Sequence, residues 1–353
     1  MNPSIKLTLI IGLLNLVVFS SCRREGFHFE YEIDGVVYPG STKIIQGEDL
    51  EMISDVSSGQ IVFNGSTSTI KSIKVDDILL IGAGKLTPYG SIRRVTEISS
   101  NGTTITLSTS DASVCDAIKS GTITFSEALT GNDFEVLNYS KGVADSKPEK
   151  SFTALRTELN HEVVYNSNGK LAWMDGVVAV SPEINIVIEI EDFAVKKVTA
   201  KSDITRVEEV YITSDGPFSG QGNKDVSSFK QKNPTSVAGL IFTPMLSVKC
   251  GFDGSVSGTL YNGVRKEVKL DASITLDNGQ VSHSFGSNDL VKDFETPVLS
   301  SNSDMSVLIN QVFTICLSGS DLFELDISGY QQLQSDKTWD KWWNLYIGYK
   351  GNI

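Results

Sequence analysis

Alternation with a period of two constrains this chain more than any other feature. Across residues 183–191, Ile184, Ile186, Ile188 and Ile190 fall on one side while Glu183, Asn185, Glu189 and Glu191 fall on the other. Successive side chains of a strand point to opposite faces, so this segment is a strand with one face buried and one wet. Val268, Leu270, Ala272, Ile274 and Leu276 repeat the pattern and run into Asp277-Asn278-Gly279 before Val281 resumes it. Both central residues of a type I′ turn need positive φ, which Asn-Gly supplies at least cost, so a hairpin is expected there. Asp34-Gly35, Asn101-Gly102 and Asn168-Gly169 carry the same signal, and Asn64-Gly65 and Asn262-Gly263 are further candidates. So many hairpins leave room for one expected helix, over residues 111–120, with Val114 and Ile118 four apart and Gly121 placed to end it. The expected class is all-β: antiparallel, hairpin-rich sandwich or barrel-like domains with one short helix.

The N-terminus carries a different kind of signal. Residues 7–19 are apolar apart from Thr8, Gly12 and Asn15, and the only charged side chain before them is Lys6. A charged start and an apolar run too short to cross about 30 Å of hydrocarbon read as an export signal. Phe19-Ser20-Ser21-Cys22 follows, with small residues before a cysteine, and the stretch resembles the lipobox of bacterial lipoproteins, Phe19 standing where that family carries Leu, Val or Ile. The resemblance implies that residues 1–21 are a cleaved signal peptide. It also implies that Cys22 opens the mature chain with its thiol linked to a diacylglyceryl group, and that residues 22–26 form a tether. Acyl chains contribute about 0.8 kcal/mol per buried methylene, so two or three hold a protein on a membrane without a spanning helix. The alternative is an ordinary secretory signal with Cys22 a bystander. The expected location is the bacterial cell envelope, at the outer membrane, with the periplasmic and surface faces both open.

Removing residues 1–21 takes the net charge from −13 to −14, because Lys6 is lost. A body this acidic is repelled by phosphate backbones, so no nucleic acid partner is expected. Cys115, Cys250 and Cys316 are scattered and form no Cys-x-x-Cys, which argues against a redox motif or a zinc knuckle. Outside the cytoplasm Cys250 and Cys316 could pair; three buried thiols is the other reading. A domain break is expected near residues 129–132, giving an N-terminal β domain over 27–130 and a C-terminal β-rich domain over 131–353. The polar run 145–150 is a linker or a long loop.

Two stretches resemble segments of uncharacterised β-rich secreted and surface proteins of bacteria and archaea. The first joins Val75-Asp76-Asp77-Ile78-Leu79, then Leu86-Thr87-Pro88-Tyr89-Gly90-Ser91-Ile92-Arg93-Arg94-Val95-Thr96, then Asp116-Ala117-Ile118. The second joins residues 241–254 with Trp342-Trp343-Asn344-Leu345-Tyr346-Ile347-Gly348. These motifs are structural, so the resemblance implies fold and export and carries no activity.

Catalytic signatures are scarce. There is no Gly-x-Ser-x-Gly, and Ser68-x-x-Lys71 and Ser227-x-x-Lys230 lack the companion motifs of penicillin-binding enzymes, with Ser68 expected in a strand. His28, His161 and His283 are the only histidines, none at metal-ligand spacing from another His or Cys, and no cofactor is expected. Asp321, Glu324 and Asp326 could lend oxygens to calcium or could be a solvated strand edge. In the aromatic knot of Trp339, Trp342, Trp343, Tyr346 and Tyr349, alternation sets Trp343, Leu345 and Ile347 on one face and Trp342, Asn344 and Tyr346 on the other. Trp339, Trp342 and Tyr346 are therefore the candidate ligand contacts, with a place in the core as the alternative.

The expectation is a non-enzymatic binding or adhesion lipoprotein, attached to the membrane through its N-terminal lipid and taking a glycan or protein ligand. Its rivals are a polysaccharide hydrolase using two carboxylates about 5–10 Å apart in an open cleft, and a surface-assembly subunit exchanging an edge strand near residues 348–353. A Cys22→Ser chain should pass from the membrane to the soluble fraction on cell fractionation; a variant that stays membrane-bound would overturn the anchor.

Overall fold

The computed structural model describes residues 29–139, 154–167, 170–336, 338 and 342–352. Cys22, His28, the 145–150 run, Asn168-Gly169 and Trp339 lie outside them. The chain begins with a hairpin of β1 (Glu30–Ile33) and β2 (Val36–Pro39). There follow β3 (Thr42–Ile45), α1 (Glu48–Glu51), β4 (Ile53–Val56), β5 (Gln60–Asn64), α2 (Ser68–Ser72), β6 (Ile78–Ile81), β7 (Ser91–Asn101), β8 (Thr104–Asp111) and α3 (Val114–Ala117). Their strands form a six-stranded sheet, β3-β6-β7-β8-β5-β4, around Ile45, Ile61, Phe63, Leu79 and Leu107. Its β3–β6 pair is parallel, the one departure from antiparallel pairing among the described strands.

The remaining strands are mostly far longer. They are β9 (Gly121–Ala128), β10 (Phe134–Tyr139), β11 (Leu155–Ser167), β12 (Lys170–Glu191), β13 (Ala194–Ser214), β14 (Phe218–Gln231) and β15 (Thr235–Val237), then β16 (Leu240–Val256), β17 (Leu260–Asp277), β18 (Gln280–Phe294), β19 (Val298–Leu299), β20 (Ser303–Leu317), β21 (Ser320–Ser335) and β22 (Trp343–Asn352). A front sheet runs β11-β12-β13-β17-β18, with β9 also beside β12 and β19 beside β17. A back sheet runs β10-β14-β16-β20-β21-β22, with β15 beside β16. Neither closes on itself, so the fold is an open sandwich and not a barrel. Strand β12 has 22 residues, about 70 Å at the rise of an extended chain. The expected alternation holds over residues 183–191: Ile184, Ile186, Ile188 and Ile190 are buried, and they belong to one continuous core that includes the back sheet's Leu246, Phe252, Phe313 and Leu325.

That core also takes in Val36, Tyr38, Leu80 and Ile118 of the N-terminal unit, so it runs across residues 129–132. The unit sits on the hairpin tips at one end of the sandwich. Val37 N donates to Ser120 O at 2.7 Å, Phe193 N to Lys119 O at 2.9 Å, and the Tyr38 hydroxyl to Ala238 O.

Several local expectations need correction. Helix α3 spans one turn, capped reciprocally by Ser113 and Asp116; at Ile118 the chain is already extended, drawn into pairing with Val37, and Gly121 opens β9 instead of ending a helix. Two more short helices exist, and Ser68 opens α2 behind the Thr67 cap instead of lying in a strand. Asp34-Gly35 and Asn278-Gly279 are two-residue turns with positive φ throughout, as expected. Asn101 pairs with Thr104, which moves that turn to Gly102-Thr103, and Asn64-Gly65 leads into α2. Asn262-Gly263 is no turn: both pair within β17, where Asn262 points inward and reaches Gln331 at 3.4 Å. Cys250 and Cys316 are free and buried; Cys316 pairs with Thr243, seven residues along β16 from Cys250, or about 23 Å away.

Charges sit inside the sandwich. Arg206 and Glu208 on β13 both point inward and form an ion pair, and Lys266, opposite Glu208 on β17, lies 3.3 Å from its other oxygen. Arg206 also donates to the back-sheet carbonyls of Ile309 at 2.9 Å and Ile327 at 3.2 Å. Tyr349 of β22 lies over both cations, its ring centre 4.3 Å from Lys266 Nζ and 5.3 Å from Arg206 Cζ. Burial pushes the Lys266 ammonium below its ordinary range while the Glu208 charge opposes that shift. Gly329 makes the space: a Cβ there would stand 2.7 Å from Glu208 Oε1 and 2.8 Å from Arg206 Nη2. Glu208→Gln leaves two buried cations without their counter-charge and should cost about 3–5 kcal/mol in urea unfolding, whereas joint replacement by Arg206→Met, Glu208→Leu and Lys266→Met should recover most of that loss.

Candidate functional site

On the front sheet the β13–β17 register, and the β12–β13 register from Ala172 to Glu189, carry side chains across strands in straight rows. Odd-numbered residues of β12, β13 and β17 face outward, so Glu183, Asp203 and Asp271 stand directly opposite one another on three adjacent strands. The next row is Ser181, Thr205, Lys269 and Asn288. Cross-strand partners hold their Cβ atoms about 5 Å apart, and like charges so placed repel. The three carboxylates thus share one outward row, with Asp271 leaning over Gly286 of β18.

These rows line an open trough of about 590 Å³ crossing β9, β12, β13, β17 and β18. Its position follows from a break in the sheet edge. Strand β12 shares one edge between β11, paired up to Val180, and β9, paired from Glu183. In the gap Leu129 N donates to Pro182 O at 2.9 Å. Carbonyl and nitrogen of one strand residue point the same way, so the missing N–H of Pro182 faces the gap and leaves no broken ladder. The chain then turns away through Thr130, whose hydroxyl and N–H both donate to Asp133 Oδ2, at 2.7 and 2.8 Å. The result is a depression with acidic, hydroxyl and amide groups on its walls and a single cation, Lys269, among the charged residues lining it.

The residues singled out by sequence lie elsewhere. Tyr346 is 50% exposed on the outer face of the back sheet, whereas Trp343, Leu345 and Tyr349 pack against the core, as alternation requires. Trp342 is half-buried where that strand begins. Asp321 accepts from Cys316 Sγ at 2.9 Å, and Asp326 Oδ2 from Asn310 Nδ2 at 3.3 Å. Among the described residues no group of three or more His, Cys, Asp or Glu side chains is gathered so as to hold a metal ion, these three included. His161 and His283 are on separate strands of the front sheet. Ser227 shares a hydrogen bond of 2.8 Å with Thr157 inside the sandwich. Period two could have found the trough acids, since Glu183 already stood on the wet face; the missing step was the register that aligns it with Asp203 and Asp271.

Searches against family models, curated proteins and solved structures gave no match to the chain.

Desolvation pushes the Glu324 and Asp326 carboxyls up, with neighbouring acids adding to it at Glu324 and the Asn310 bond opposing it at Asp326. A carboxyl whose folded pKa exceeds its unfolded value binds more protons when folded, so its penalty is present at neutral pH and fades as pH falls through the folded value. The pair Glu324→Gln, Asp326→Asn should therefore be more stable than the parent at neutral pH, with the gap in urea midpoint closing as the pH is lowered toward the ordinary carboxyl range.

Proposed function

We propose that this chain is a cell-envelope lipoprotein, anchored through Cys22, that binds a ligand on the outer face of its front sheet without turning it over. The trough across five strands carries the reading. It is open, and beside apolar Leu129 and Pro182 its walls carry hydroxyl, amide and carboxylate groups that suit a hydroxyl-rich or weakly basic ligand. Glu183, Asp203 and Asp271 share one register row and offer acceptor oxygens to ligand hydroxyls or amines.

The same row favours a second reading, hydrolysis of a polysaccharide by two carboxylates, because it sets Glu183 and Asp203 side by side on adjacent strands of an open trough. The aligned back-sheet strand β22 weighs against exchange of a free terminal strand, since all ten of its residues pair with β21.

Native mass spectrometry of the full chain purified from its own envelope should show an added mass, lost in a Glu183→Gln, Asp203→Asn, Asp271→Asn variant that unfolds at the parental urea concentration. Release of reducing ends from an envelope polysaccharide by the parent, abolished by the same substitutions, would replace binding with hydrolysis.

A further inference from the structure

Toward the opposite end of the same outer face, four aromatic side chains gather. Trp173 on β12, Tyr211 on β13 and Tyr261 on β17 all occupy odd, outward positions, and His161 of β11 joins them from a bulge. His161 stacks on Trp173 with ring centres 5.4 Å apart and planes 18° from parallel. Tyr211 stacks on Tyr261 at 6.1 Å and 19°. Val163 and Val298, each partly exposed, extend the register row on either side: Val163, Trp173, Thr213, Tyr261, Val298. At an interstrand spacing of about 4.8 Å this strip is about 19 Å long, running across the strands.

The strip is held in place. Asp175 Oδ1 accepts from the backbone N–H of His161 at 2.8 Å and lies 2.9 Å from its Nδ1, fixing the imidazole on the Trp173 ring. Tyr211 fills the space over Gly263, where a Cβ would stand 2.6 Å from its ring. The Tyr211 hydroxyl donates to Glu209 at 2.9 Å and the Tyr261 hydroxyl to Glu295. Each of those carboxylates keeps acceptor capacity for a further hydroxyl.

We propose that this strip is a saccharide-binding site, in which the rings of Trp173 and Tyr261 stack on the C–H faces of successive pyranose units of a neutral polysaccharide while Asp175, Glu209 and Glu295 accept from its hydroxyls. The proposal rests on the binding reading above and adds to the trough a second, chemically distinct contact on the same face. A pyranose presents apolar C–H groups on a ring face and hydroxyls around its rim, which matches flat aromatic surface bordered by carboxylates. An ammonium ligand instead requires rings converging on one point; here the rings of each pair are nearly parallel and the pairs lie side by side. Rigid aromatic side chains already ordered by hydrogen bonds lose little freedom on binding.

Affinity electrophoresis of the full chain through gels containing mixed-linkage β-glucan, xylan or galactomannan tests the strip. At least one of these should retard the parent. Trp173→Ala or Tyr261→Ala should weaken the apparent affinity about tenfold or more, the loss expected when a stacked aromatic contact is removed. Trp173→Phe should keep most of the retardation. His161→Ala, at a side chain that is 69% exposed, should weaken it without altering the urea midpoint. Undiminished retardation of both alanine variants, or competition by choline and not by free oligosaccharide, overturns the proposal. Failure of all three polysaccharides to retard a parent that still carries its trough-dependent added mass overturns the saccharide strip and leaves the binding reading standing; loss of both removes both.

Discussion

The pairing of β13 with β17 runs for 18 residue pairs without a bulge, from Lys197–Asp277 to Ser214–Leu260. Since strand side chains alternate with an exact period of two, an unbroken register of that length assigns every residue of both strands to one face, and a slip by one would exchange core for surface along the whole sandwich. Strand β12 pairs with β13 just as steadily until a single shift at Glu189–Ile190, next to its turn. The core and the outer rows follow from this one constraint. Ile204, Val210 and Leu270 meet the back sheet because Asp203, Tyr211 and Asp271 cannot.

The buried charges read naturally in the same terms. A sheet-on-sheet contact made of aliphatic side chains alone tolerates sliding, because one Ile or Val packs much as another does. Arg206, by donating to the carbonyls of Ile309 and Ile327, ties one position on β13 to one position on the back sheet, and Gly329 of β21 leaves the room its guanidinium needs there. The gain in stability from such a cluster is small, since desolvation offsets most of the attraction. Its contribution lies in the alignment of the two sheets.

Much of the architecture was legible in the letters. Asp34-Gly35 and Asn278-Gly279 announce their turns because those residues enter positive φ with little strain, and the isoleucine run 184–190 announces its face. Asp192-Phe193 turns the chain between β12 and β13 with φ of 49° and 59°, and nothing in a phenylalanine signals that conformation; the pairing of strands on either side forces it. Asn262-Gly263 shows the converse, a turn dipeptide held straight because Asn262 meets Gln331 inside and Gly263 lies beneath the Tyr211 ring. The candidate sites were half-legible. Carrying the parity of Glu183 back along β12 puts Trp173 on the wet face, and the same count puts Tyr211 and Tyr261 there, yet only the register shows that the three are neighbours. The C-terminal aromatics stand out in the sequence because they are adjacent, and adjacency in a strand separates side chains onto opposite faces.

The N-terminal unit plugs the hairpin tips at one end of the sandwich, while Trp173 lies near the start of β12, 18 residues or about 59 Å from Glu191 at the plugged end. A pull applied between those two places acts along the strands. Antiparallel hydrogen bonds lie perpendicular to that direction, so the load falls on many of them together in shear and none is peeled open alone. A body built this way resists extension best along its strand axis, from the plugged end to the aromatic strip.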